Sequence, residues 1–81
     1  MTYLKDHKPL ACDGIAKIPN DRDRQKVRTM ITLLAGNPEL ALSELQSDGT
    51  RKVTTENGYV VHYAALPTRV LEIYSVEPRG A

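Results

Sequence analysis

Tryptophan and phenylalanine are absent from this chain of 81 residues, whose aromatics are Tyr3, Tyr59, Tyr63 and Tyr74. Its core is therefore expected to be aliphatic. Cysteine is nearly absent too: Cys12 stands alone, which excludes an internal disulfide framework or a cysteine metal cluster and fits a reducing cytosol. No apolar run approaches the roughly 18 residues of a membrane span, and the opening MTYLKDHKPL lacks a signal peptide's apolar stretch. A soluble cytoplasmic protein with no membrane partner is expected. Charge of one sign is also scarce. A formal net charge of +1 does not describe a general nucleic-acid binder, which needs clustered Lys and Arg on several phosphates. A local basic patch remains open.

An apolar fraction of 41% beside 26% charged residues is that of a folding chain, not a disordered one. The length implies a single domain, residues 1–81, that buries about 60–65% of its unfolded surface. Any chemistry must then sit on the surface of a thin scaffold.

The opening TYLKDH predicts a short strand. KPLACDGIAKI predicts a short helix with Leu10, Ile15 and Ile18 towards one side, although Gly14 lowers its propensity by about 1 kcal/mol. In NDRDRQKVRTMITLLAGNP, Val27, Met30, Ile31 and Leu34 fall at i, i+3, i+4 and i+7, one apolar stripe of a second helix. Asn20 or Asp21 can cap its start, and Gly36 with Pro38 stops it. Its charges, Asp21 and Asp23 interleaved with Arg22, Arg24, Lys26 and Arg28, describe a solvated face better than a basic patch. ELALSEL suggests a further helical turn and SDG a loop.

From there the period becomes two. TRKVTT, YVVHYAA and RVLEIYSV predict three strands, joined at ENG and LPT. The expected fold is α+β: two N-terminal helices packed on a small antiparallel sheet, made of the short N-terminal strand and a three-stranded C-terminal meander. Alternation sends Val61 and Tyr63 to one face and Val60, His62 and Ala64 to the other.

The runs IAKIPNDRDRQKVRTMITLLAGNP, LSELQSDGTRKVTTENGYVVHY and RVLEIYSVEPRG are similar to the RelE/ParE superfamily of toxins from bacterial toxin-antitoxin modules, closer to its RelE branch. The resemblance covers nearly the whole chain. Its strongest pieces are AGNP at a helix end, Leu45 before a strand, GYVVHY after the hairpin, and the closing SVEPR. It implies a cognate antitoxin protein as partner. In the RelE branch it further implies an endoribonuclease that inhibits translation by cleaving mRNA on the ribosome. In the ParE branch it implies inhibition of DNA gyrase.

RelE-type enzymes place lysines on the first meander strand, an arginine after the GY pair and another after the last strand. Lys52 matches the first lysine and Arg79 the last arginine, whereas Thr54 and Val60 stand at the second lysine and the first arginine. Valine can neither donate a hydrogen bond nor neutralise phosphate. His62, two residues along the strand and therefore on the same face, is the natural substitute, since imidazole can give or take a proton near neutrality. The catalytic candidates are Lys52, His62 and Arg79, and the candidates for RNA binding are Arg51, Thr54 and Arg79. Alternation nevertheless sends Arg51 to the face opposite Lys52.

Each candidate also has a plain structural explanation. A strand lysine can serve solubility, a strand histidine can be half-exposed without a role, and an arginine near the end can sit on a frayed terminus. Tyr59 and Tyr63 could stack on bases or pack half-buried with the hydroxyl outwards. His7 and His62 lack companion ligands, so neither metal nor cofactor is expected. Three functions stay open: ribosome-dependent ribonuclease, gyrase inhibitor, and a degenerate toxin fold that only binds.

Overall fold

A computed structural model of the chain describes residues 2–39 and 43–80. Strand β1 (Leu4–His7) runs directly into helix α1 (Pro9–Ala16), because Lys8 keeps an extended backbone and Pro9 is preset for the first helical position. Ala11 and Ile15 are buried along α1, and Ile18 follows them into the core. Leu10, expected beside Ile15, is instead 70% exposed. Five residues at about 100° each place it roughly 140° round the helix from Ile15, and the stripe falls to Ala11.

Helix α2 (Asp21–Gly36) starts where Asn20 Oδ1 accepts hydrogen bonds from the backbone N–H groups of Arg22 and Asp23. Asp21 and Asp23 complement the dipole in the first turn. Val27, Ile31, Leu34 and Ala35 are buried, and Met30 packs partly against them.

The sheet then builds from strands β2 (Glu44–Leu45), β3 (Arg51–Thr54), β4 (Tyr59–Ala65) and β5 (Val70–Pro78), in the spatial order β1-β5-β4-β3-β2. Glycines at φ +87° turn the two hairpins flanking β3: Gly49 between β2 and β3, and Gly58 between β3 and β4. Val53, Val61, Tyr63, Leu71, Ile73 and Val76 point from the sheet into the helices, completing one core. The opposite face of the sheet is open.

The α+β class, the two helices and the three-stranded meander agree with the expectation. The sheet differs in two respects. It is mixed, because β1 lies parallel to β5, pairing Leu4 with Val70 and His7 with Ile73. The helices lie between these strands in sequence and on one face in space, so the chain returns in the direction it started. The sheet also gains β2, antiparallel to β3, within the segment read as a helical turn. Two residues are too few to show a period. The rest of that expected turn, residues 40–42, lies outside the described residues. Among the described residues no helix is long and apolar enough to cross a membrane.

A bulge interrupts β5. His62 pairs with Ser75 and Tyr63 with Ile73, which leaves Tyr74 as the extra residue. The buried positions accordingly step from Ile73 to Val76, three residues apart, and Tyr74 is carried to the open face with Ser75.

Tyr63 corrects the expectation of a half-buried ring. It is fully buried, and its hydroxyl donates to the Pro38 carbonyl at 2.6 Å, so it has no face left for a base. Tyr59 is only partly buried, against the core. Burial pushes the Tyr63 phenol pKa above its ordinary value of 10.0. The folded state therefore holds this proton more tightly than the unfolded chain. The stabilisation it gives is complete below pH 10.0 and is lost as pH rises from there through the folded value. Tyr63→Phe is expected to reduce this alkaline dependence in denaturant titrations, and to cost about 1 kcal/mol at neutral pH for the lost bond to Pro38.

Candidate functional site

The open face takes its chemistry from the strands the helices leave uncovered. In the β3–β4 ladder Lys52 is paired with His62 and Thr54 with Val60. Directly opposed residues hold their Cβ atoms about 4.5–5.5 Å apart, so Lys52 and His62 share one small area. Lys52 is exposed and His62 half-buried. Among the described residues the Lys52 ammonium has no hydrogen bond or ion pair, which leaves it available to an incoming anion.

His62 is held from two sides. Its Nε2 lies 2.6 Å from Thr50 Oγ1, at the entry to β3. Its ring meets Tyr74 at a tilt of 58°, with centroids 5.4 Å apart. Thr50 is in turn bound to Asp48, whose Oδ1 accepts from the Thr50 backbone N–H at 3.0 Å and from the Thr50 hydroxyl at 2.6 Å. Those bonds, the hydroxyl's first, hold the Asp48 carboxyl below its ordinary pKa.

Arg79 lies further along the face. Its N–H donates to the Gly58 carbonyl at 2.8 Å, continuing the β4–β5 ladder beyond Pro78, so its backbone is pinned to the hairpin and not frayed. Four residues separate it from Ser75, the partner of His62, a rise of about 13 Å along an extended strand. Thr54 and Val60 occupy the space between. Lys52, His62, Thr54 and Arg79 thus mark one track across the sheet, without converging on a point.

Arg51 is not on this track. It pairs with Tyr63, and its guanidinium donates to Ser43 Oγ at 3.2 Å and lies 3.9 Å from Glu39 Oε1. The alternation anticipated in the sequence separates it from Lys52.

Residues beyond the sequence candidates complete the face. Tyr74 donates to Glu72 Oε1 at 3.0 Å, and Glu72 and Asp6 each hold Lys8 at 2.9 Å. The Lys8 ammonium is pushed above its ordinary pKa by Asp6 first and then Glu72. Glu72 is held below its own by Lys8 and then Tyr74. Burial, followed by the bond to Glu72, raises the Tyr74 phenol. Glu77, paired with Val60, and Glu44, paired with Lys52, share this face as well. Among the described residues the surface is mixed in sign, with Lys52 at its centre and Arg79 at one end as the cations without an ion pair. Such a surface can move a proton locally and grip individual phosphates, but it cannot attract RNA over a distance.

In the sequence Asp48 belongs to the SDG turn, Thr50 opens the strand TRKVTT, and Tyr74 is a strand aromatic. The Asp-Gly-Thr order is a weak signal for a side chain bound to its own turn. Nothing local announces the bulge that turns Tyr74 towards His62.

No family model and no curated protein sequence matches the chain. Solved structures do. The crystal structure of the toxin-antitoxin complex RelBE2 from Mycobacterium tuberculosis matches with a TM-score of 0.80 at 20% identity, over 98% of this chain and 100% of that one. The intact E. coli RelBE toxin-antitoxin complex matches at 0.80 and 18% identity, over 98% and 99% of the two chains. The isolated E. coli RelE toxin matches at 0.81 and 17% identity, over 98% of this chain and 86% of that one. The chain has the RelE toxin fold.

Proposed function

We propose that this chain is the toxin of a toxin-antitoxin module and inhibits translation by cleaving mRNA on the ribosome. The observation that carries the reading is the Lys52–His62 pair on the open face of a RelE fold, with Arg79 and Thr54 along the same track. His62 takes the proton of a ribose 2′-hydroxyl as O2′ attacks the adjacent phosphorus. The P–O5′ bond breaks, and the Lys52 ammonium neutralises the phosphate and returns a proton to the leaving O5′. The products are a 2′,3′-cyclic phosphate and a 5′-hydroxyl. Arg79 grips a phosphate further along the strand, and Thr54 touches the backbone between them.

Dependence on the ribosome follows from electrostatics. A net charge of +1 and an open face carrying Asp6, Glu44, Asp48, Glu72 and Glu77 give little counterion-release affinity for free RNA. The message must be delivered by a larger partner. The cognate antitoxin is the second partner, supported by the toxin-antitoxin complexes that share the fold.

Induced expression followed by mapping of RNA 5′ ends is expected to show cuts in translated messages, placed relative to the reading frame and absent from untranslated RNA. Growth arrest with intact messages, together with inhibited supercoiling in a purified DNA gyrase assay, would overturn the reading in favour of gyrase. Val60 is the residue that favours that second reading, since it removes a cation from the track.

A further inference from the structure

We infer that Asp48 and Thr50 act as positioning residues that hold neutral His62 in its Nε2–H tautomer, leaving Nδ1 bare as the proton acceptor. The tautomer follows from counting protons. The Thr50 hydroxyl has a single proton and lies 2.6 Å both from Asp48 Oδ1 and from His62 Nε2. An ionised carboxylate can only accept. It also accepts the Thr50 backbone N–H, which fixes it at this position. The hydroxyl proton therefore points to Asp48, and Thr50 Oγ1 is left to accept from Nε2–H.

Nδ1 has no hydrogen-bond partner among the described residues. No buried side-chain nitrogen or oxygen there lacks a partner, so Nδ1 must open to solvent on the face shared with Lys52. The other groups that face the ring are Lys52 on β3 and, on β5, Ser75 and the Tyr74 hydroxyl, which is committed to Glu72. None of them supplies a competing acceptor bound to the imidazole. The chain Asp48–Thr50–His62 thus orients a base through a hydroxyl, where a carboxylate would ordinarily touch the ring directly. Only the fate of the proton taken by Nδ1 rests on the RNA-cleavage reading; the tautomer does not.

The test uses the full chain labelled with ¹⁵N, in mildly alkaline buffer. Long-range ¹H–¹⁵N correlations are expected to show Nε2 protonated and Nδ1 bare. Asp48→Ala releases the Thr50 proton to point at Nε2, and is expected to shift His62 towards the Nδ1–H form. Thr50→Val removes the relay, giving a mixture of tautomers and a loss of about 10- to 100-fold in single-turnover cleavage, the usual cost of removing a group that orients an imidazole. Thr50→Ser keeps the hydroxyl and is expected to retain both properties. Backbone amide spectra establish that each variant is folded. An Nδ1–H tautomer in the native chain, or a tautomer indifferent to both Asp48→Ala and Thr50→Val, overturns the inference. An Nε2–H tautomer in a chain that cuts no RNA leaves the relay standing and removes the ribonuclease reading instead.

Discussion

Replacing His62 by alanine is expected to lower ribosome-dependent mRNA cleavage by about 10²–10⁴, the range that a positioned general base contributes. The loss should fall on the rate of the bound complex more than on binding. His62 is half-buried behind Lys52, and phosphate attraction along the track rests on Lys52 and Arg79. Single-turnover measurements at saturating ribosome concentration separate the two contributions. The fold should survive, because the His62 ring contacts Tyr74 and Thr50 on the open face and takes no place in the apolar core. A His62→Ala chain that cuts messages at the native rate would remove His62 from the chemistry. The same experiment bears on Val60. With no cation at that position, stabilisation of charge on the phosphate falls to Lys52. Glu44, the strand partner of Lys52, is a neighbouring carboxylate that could stand in as a base, so His62→Ala and His62→Ala with Glu44→Gln together measure how far the reaction depends on His62.

The second large effect is structural. Gly14→Ala is expected to destabilise the fold by about 2 kcal/mol or more, despite the roughly 1 kcal/mol by which alanine favours a helix interior. A β-carbon at Gly14 would lie 2.1 Å from the Val76 carbonyl oxygen and 3.2 Å from Val76 Cβ. The obstacle is the backbone of β5, held at Val76 by its pairing with Val61 on β4, so no side-chain rotation relieves it. Helix α1 would have to lift from the sheet and loosen Ala11, Ile15 and Ile18 in the core. For a domain of this size the thermal midpoint should fall by roughly 10 °C. Gly36→Ala supplies the contrast. No atom lies within 4 Å of a β-carbon there, the residue closes α2, and the change is expected to be neutral or slightly stabilising. Equal melting of Gly14→Ala and the parent chain would contradict the close approach of α1 to β5. The effect should also reach the site, since Val76 adjoins Ser75, the strand partner of His62.

These two residues show how unevenly the molecule could be read from its sequence. The helix-lowering Gly14 looked like a local weakness; it is in fact the point at which α1 and β5 touch. His62 and Lys52 could be placed on one face by alternation alone, and Arg51 on the other, because a strand's period of two needs no knowledge of its neighbours. Their direct opposition depended on the hairpin register, which Gly58 and the burial of Val53, Val61 and Tyr63 set together. Leu10 shows the limit of such reading within a helix of only 8 residues, where Ala11 carried the stripe without being a conspicuous apolar residue.

The sequence by itself determined the two helices, the three meander strands and their order, and the α2 stripe of Val27, Ile31 and Leu34. It also determined the turns at Gly49 and Gly58 and the open-face position of Lys52 and His62. All of these follow from side-chain period and backbone freedom within a few residues. Tertiary structure decided the parallel return of β1 onto β5, the pairing of β2, the bulge that turns Tyr74 towards His62, and the join of Asp48 and Thr50 to that ring. Each of these depends on groups brought together by closing the core, as Thr50 and His62 are across 12 residues of chain. Burial of the apolar face drives that closure. The polar contacts it leaves on the other face depend on register and distance, which a local pattern does not contain.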